Sequence, residues 1–165
     1  MKPSTALALR EAPQVEPWRE AEWQRLWLSV QAKPWKALAV CPAGAGVSHD
    51  FAVTVAVTLA RTGMMHLGAP IQVADATRVQ LSNAVSFANE VKRYREQGDM
   101  ILIALAPVSD NPITASIAQA ADATLLCVIM GKMLSADAKD TLAKIGRERF
   151  LGTAVFRPDL DAPNP

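Results

Sequence analysis

The sequence predicts a three-layer α/β sandwich with a mostly parallel five-stranded sheet. Three observations lead there. Apolar runs of strand length alternate with longer segments of helical character from residue 36 to residue 157. Two of those runs, residues 99–107 (DMILIALAP) and 123–130 (ATLLCVIM), are apolar almost throughout, as parallel strands covered on both faces require. The β-then-α order repeats four times before a last strand, which implies right-handed crossovers between neighbouring parallel strands.

Taken in order, residues 1–17 read as a loose arm interrupted by Pro3, Pro13 and Pro17. Residues 18–31 (WREAEWQRLWLSVQ) form an amphipathic helix, with Trp23, Leu26, Trp27 and Val30 on one face at i, i+3, i+4, i+7. Lys36 to Cys41 is the first strand. Pro42, Gly44 and Gly46 make a turn, and Ser48 with Asp50 suits a helix N-terminus. Val53, Val55, Val57 and Leu59 alternate with smaller residues, a strand period. The length of this segment, and the stop signal Thr62-Gly63, nevertheless predict a helix. A strand follows at 71–78, a helix at 79–97 stopped by Gly98, a strand at 99–107, and a helix from Asn111-Pro112 to Ala121. The chain then continues as a strand at 123–130, a helix capped by Ser135 and running to about Ile145 where Gly146 ends it, and a last strand at 150–157. One domain therefore spans 18–157, and 158–165 is a polar tail.

Composition narrows the function classes. Half of the 165 residues are apolar, enough for a substantial core, and the net charge of +1 steers the chain toward neither nucleic acid nor membrane. No apolar run reaches the roughly 18–20 residues of a membrane span, and the polar, Pro-interrupted N-terminus does not read as a signal peptide. Cys41 and Cys127 form neither a disulfide framework nor a metal spacing and read as buried reduced thiols, pointing to the cytosol. His49 and His66 make no metal pair. All four tryptophans fall between residues 18 and 35, which raises the first helix as a subunit or partner contact anchored by Trp23 and Trp27, with Glu22 and Arg25 alongside. The alternative is that the helix covers its own domain.

Strand, glycine turn and helix N-terminus is the layout of a phosphate-binding loop. Its consensus is Gly, four residues, then Gly-Lys-Ser/Thr. Here the register runs from Cys41 to Gly46, Val47 and Ser48, so the last Gly and the Ser are present while the first Gly and the Lys are not. The candidate binding residues are Gly44, Gly46, Val47, Ser48 and His49, with Asp75 from the next strand end. Phosphoryl transfer rests on positioning and on neutralising phosphate charge, and Val47 removes the cation that does so. Ser48 by itself is a poor Mg²⁺ site, because that ion usually takes a carboxylate as well.

These residues make the chain similar to the bacterial tyrosine kinase domain family. Those are cytoplasmic P-loop modules of capsule and exopolysaccharide synthesis within the larger MinD/ParA-like class, so the resemblance implies a P-loop NTPase-like sheet. Glu22 and Arg25 match the first two positions of that family's Glu-x-x-Arg-x-x-Arg oligomerisation motif, whose last Arg is Leu28 here. Residues 44–48 (GAGVS) resemble the Gly-x-Gly-Lys-Ser core. Residues 73–77 (VADAT) resemble the hydrophobic, Asp-x-Asp motif, with Asp75 kept and Thr77 in place of the second acid. Residues 99–107 resemble the Walker B strand, with Ala104 where the metal-side Asp belongs, and 121–133 (ADATLLCVIMGKM) resemble the segment that follows. Tyr94 is the single tyrosine, so autophosphorylation on a tyrosine-rich tail is not available.

The expectation is a non-catalytic scaffold or regulator of polysaccharide synthesis or export, without ATP, Mg²⁺ or another cofactor. The resemblance implies a cytoplasmic location, recruitment to the cytoplasmic face of an inner-membrane polysaccharide co-polymerase or a glycosyltransferase complex, and homo-oligomer contacts. Net charge and the lack of a membrane-length apolar run predict no nucleic-acid partner and no direct membrane insertion. Rival readings are a residual nucleotide-binding enzyme that grips phosphate through backbone N–H groups, and a ParA/MinD-like positioning or cellulose-secretion accessory.

Overall fold

The computed structural model describes residues 19–44, 47, 48 and 50–157. The arm expected over 1–17, Trp18, Gly46, His49 and the tail over 158–165 lie outside the described residues. Five strands form one sheet: β1 (Ala37–Pro42), β2 (Gln72–Ala76), β3 (Ile101–Leu105), β4 (Ala123–Ile129) and β5 (Phe150–Phe156). Their spatial order is β2-β3-β1-β4-β5, and every neighbouring pair is parallel. The burial explains the sequence pattern. Every residue of β1 and β3 is buried, so these strands read as unbroken apolar runs, whereas the edge strand β2 mixes exposed Gln72 and Asp75 with half-buried Val73 and Ala74.

Successive residues of a strand point to opposite faces, and β1 accordingly feeds two cores. Leu38 and Val40 join Leu102, Ala104 and Leu125 on one face, under α2 (Phe51–Leu67), which contributes Phe51, Val55 and Leu59. Ala37, Ala39 and Cys41 join Ile101, Ile103 and Leu105 on the other face. That second face is covered by α3 (Leu81–Glu96), α4 (Thr114–Ala120) and α5 (Ser135–Ile145), through Val91, Ile117 and Ile145. The link from β1 to β2 therefore runs on the first face and the link from β3 to β4 on the second. β1 and β3 are neighbours, and the divergence leaves a crevice beyond their carboxyl ends, where open α/β sheets bind ligands.

Most element ends fall within three residues of the sequence reading, and the end of α2 differs most. Thr62-Gly63 does not stop α2, which continues to Leu67 and ends on Gly68 in the left-handed conformation, φ 67°. Gly63 has another reason to be glycine. A Cβ there would lie 2.4 Å from the Trp27 ring and 2.6 Å from Ile71, so only a bare backbone lets the indole approach α2.

The first helix, α1 (Ala21–Val30), lies on α2 at the same face of the sheet. Trp27 is 1 % exposed and Trp23 8 %. Trp27 meets Trp35 edge-to-face at 5.9 Å, and its Nε1 donates to His66 Nδ1 at 3.1 Å. Trp23 lies 5.8 Å from Phe156 of β5, and Trp35 Nε1 donates to the Val30 carbonyl at 2.8 Å. Both indoles of α1 thus sit within their own chain, which corrects the expectation that they face a partner. Burying an indole removes roughly 200 Å² of surface from water, about 5 kcal/mol as an upper figure, and the gap left by Gly63 lets the domain take that gain itself. Glu22, Arg25 and Leu28 remain exposed. Among the described residues, no helix is long and apolar enough to cross a membrane.

Candidate phosphate-loop site

The loop after β1 begins where the fold requires it. Ala43 N–H donates to the Cys127 carbonyl at 2.9 Å, extending the β1–β4 pairing by one step into the turn. Val47 is half-buried and packs on the core under α2, and Ser48 is exposed. The Ser48 carbonyl accepts the Phe51 N–H at 3.2 Å, so Ser48 stands one turn before α2 as expected. Asp50 occupies the N-cap position but makes no side-chain capping bond.

Val47, Ser48 and Thr77 come together on the walls of the crevice, with Pro42, Ala106 and Asp110. Three elements converge there: the β1–α2 loop, the end of β2 and the end of β3. The enclosed space is only about 10 Å³, close to the smallest that holds one water. Its one ionisable wall residue among the described ones is an acid, Asp110. Sequence reasoning missed Asp110. Its signal was its position just past the Walker B-like strand, inside the stretch where such sheets place ligand-binding residues.

The remaining acid of the second motif is turned to its own backbone. Asp75 Oδ1 accepts both the Thr77 hydroxyl at 2.6 Å and the Thr77 N–H at 2.9 Å. Asp75 therefore closes the turn after β2 and is not among the described crevice-lining residues. Ala104 pairs with Asp75 and Val40 in the sheet and is fully buried in the core under α2. An acid at 104 would meet that apolar core. Asp122, in the segment that follows the Walker B-like strand, is also structural. Its Oδ2 accepts the N–H groups of Lys36 and Ala37, each at 2.8 Å, and its Oδ1 pairs with Arg95 at 2.5 Å. This clasp ties β1 to β4 at the amino ends of the strands. A larger, open hollow of about 530 Å³ lies at that same end, between Trp35, Lys36, Leu67 and Met100. The strand carboxyl ends, not this hollow, carry the motif residues, so the smaller crevice is the candidate site.

A second contact on the loop was not visible in the sequence. The Thr141 hydroxyl, buried on α5, donates to the Ala43 carbonyl at 2.9 Å. Asp137, one turn earlier on α5, presses against the buried Gly44. A Cβ on Gly44 would lie 2.9 Å from Asp137 Oδ2 and 3.2 Å from its Cβ and Cγ. Asp137 is half-buried, so an acidic side chain lies against the backbone at the start of the loop.

The cysteines take no part in the site. Cys41 and Cys127 belong to opposite faces of the sheet, which separates their sulfurs although β1 and β4 are paired. Burial pushes the Cys41 thiol up to about 12, and burial together with the neighbouring Cys41 pushes Cys127 well above its ordinary value. Neither is a nucleophile at neutral pH.

No family model and no curated protein matches the chain. A solved structure does: the BceF tyrosine kinase domain superposes with a TM-score of 0.56 at 14 % sequence identity, over 82 % of this chain and 72 % of that one. The two share a fold. At that identity the likeness extends to the sheet and its helices and says nothing of the chemistry of individual residues.

Proposed function

We propose that this protein is a non-catalytic relative of the bacterial tyrosine kinase domains, serving bacterial polysaccharide synthesis or export as a scaffold or regulator. The observation that carries the reading is the crevice beyond β1 and β3. Val47, Thr77 and Ala104 stand where the resembled motifs carry a lysine and two acids, and the space between the walls is about 10 Å³. Phosphoryl transfer needs the opposite arrangement, a cationic cradle with a metal held by carboxylate and hydroxyl. The likeness in fold to the BceF tyrosine kinase domain supports the choice of process.

In this reading the protein works in the cytoplasm without ATP or Mg²⁺. It docks on the cytoplasmic part of an inner-membrane polysaccharide co-polymerase or on a glycosyltransferase complex. Glu22 and Arg25, which stay exposed on α1, are the residues available for register against a neighbouring copy. Activity assays test the proposal. The purified chain is expected to show neither ATPase nor autokinase activity above background, and Val47→Lys alone restores none because the metal-side carboxylates are still missing. Magnesium-dependent turnover by the wild type that disappears in Ser48→Ala would establish the residual-enzyme reading instead.

A further inference from the structure

We infer that the outer edge of β5 pairs with the β5 of a second copy of this chain, antiparallel, about a twofold axis at Ala154. The inference does not depend on whether the crevice binds nucleotide. It starts from an unguarded edge. Residues 150–156 contain neither a charge nor a proline, two of the devices that blunt edge strands. The other edge strand, β2, is shorter and carries Asp75.

The backbone shows which groups face outward. The Phe156 carbonyl accepts the Met130 N–H at 2.9 Å, continuing the β4–β5 ladder. Alternate residues of a strand turn their backbone groups to the same side, so Gly152, Ala154 and Phe156 direct theirs to β4. Thr153 and Val155 direct theirs away from it. Their side chains are exposed too, Val155 by 62 %, on the face opposite to Ala154 and Phe156. Val155 is in register with half-buried Val128, and Met130, two positions further along, is 56 % exposed.

An axis at Ala154 sets Thr153 of each copy opposite Val155 of the other. Each pair can exchange both backbone hydrogen bonds through its outward groups and joins two β-branched side chains on one face. The next pair sets Gly152 opposite Phe156. A Cβ on Gly152 would meet nothing within 4 Å, so an aromatic ring has room over the glycine. Arg157 comes opposite Leu151, and no like charges meet. The strand complements itself in this register, which selects a second copy over a foreign strand. Two short edges bury less than the roughly 800 Å² per partner of a standard interface, so pairing depends on concentration.

The experiment follows the full-length protein by analytical ultracentrifugation from micromolar to millimolar concentration, with amide hydrogen exchange read at Thr153 and Val155 at both ends of that range. The wild type is expected to pass from monomer to dimer, and the two amides to become protected only as the dimer forms. Val155→Lys puts a charge on the edge and raises the concentration at which half the chains are paired at least about tenfold. Adding Thr153→Glu to Val155→Lys restores pairing, because each lysine then faces a glutamate of the second copy, and high salt weakens the rescue. The exchange measurement needs no variant, so it decides even where a substitution disturbs the fold. A wild type that stays monomeric at millimolar concentration overturns the inference. So does a dimer that ignores Val155→Lys, since it joins through another face, and so does a Val155→Lys protein that Thr153→Glu fails to rescue. Protection of both amides in the dilute monomer also overturns it, because the chain would then cover the edge itself.

Discussion

The α1–α2 side of the sheet and the loop end of the same sheet are built in opposite ways. On the α1–α2 side, large aromatic side chains meet one another and their polar atoms find partners inside the chain: Trp27 with His66, Trp35 with the Val30 carbonyl. At the loop end the residues are small, the expected charges are absent, and the acids that remain serve their own backbone. Asp75 holds Thr77, and Asp137 holds Leu134 while pressing on Gly44. The difference lies in the forces that hold each region: apolar burial on the α1–α2 side, hydrogen bonds to backbone at the loop end. At the start of the loop, the Ala43 N–H donates to the Cys127 carbonyl and the Ala43 carbonyl accepts from the Thr141 hydroxyl.

The largest expected effect lies on the aromatic side. Trp27→Ala removes a 1 % exposed indole and its hydrogen bond, which costs about 4 kcal/mol by the usual range for large-to-small changes in a core. Gly63→Ala reads the same contact from the other helix and costs about 2 kcal/mol through overpacking against Trp27. Chemical denaturation with far-UV dichroism measures both. A Trp27→Ala protein of wild-type stability would move the indole out of the core and reopen its assignment as a partner anchor.

A smaller effect concerns the thiols between the two regions. An unfolded chain releases thiol protons near pH 9, while the folded chain keeps that of Cys41 until about pH 12. The folded state then binds more protons than the unfolded state, so stability is full below about pH 9 and falls as the pH rises toward 12. The loss attributable to Cys41 is about 2 kcal/mol by about pH 10.5, at 1.36 kcal/mol per unit. Urea midpoints followed from pH 8 upward measure it, against Cys41→Ala, in which the slope is reduced. At neutral pH, a disulfide reagent is expected to label neither cysteine until denaturant is added.

The smallest effect on stability belongs to the exposed charges of α1. Glu22→Ala and Arg25→Ala change the unfolding free energy by less than about 0.5 kcal/mol each, as surface substitutions do. Their readout is assembly. If α1 registers against a neighbouring copy through these two residues, light scattering at high concentration shows a lower apparent mass in the double variant. Identical masses for both proteins would leave α1 as a covering helix and nothing more.

How far the sequence reached follows from the range of the signal. The element order, the parallel sheet and the end of α5 at Gly146 were legible because period, run length and helix stops are local properties of a few consecutive residues. The missing cation at Val47 was equally legible, being one residue in a known register. The direction of α1 was not. An apolar stripe at i, i+3, i+4, i+7 is the same whether it meets a partner or its own domain, and only the gap at Gly63, in another helix, decides for the domain. Gly63 itself misled for the same reason, since a glycine late in a helix reads as a stop until the neighbouring indole is seen. The brace on the loop was out of reach, because Thr141 and Ala43 are separated by 98 residues and meet only when α5 folds back over the end of β1. Sequence by itself determined which elements form and which charges are absent. Tertiary structure decided what the tryptophans cover and what stands beside the loop, because contacts between distant residues leave no period in the chain.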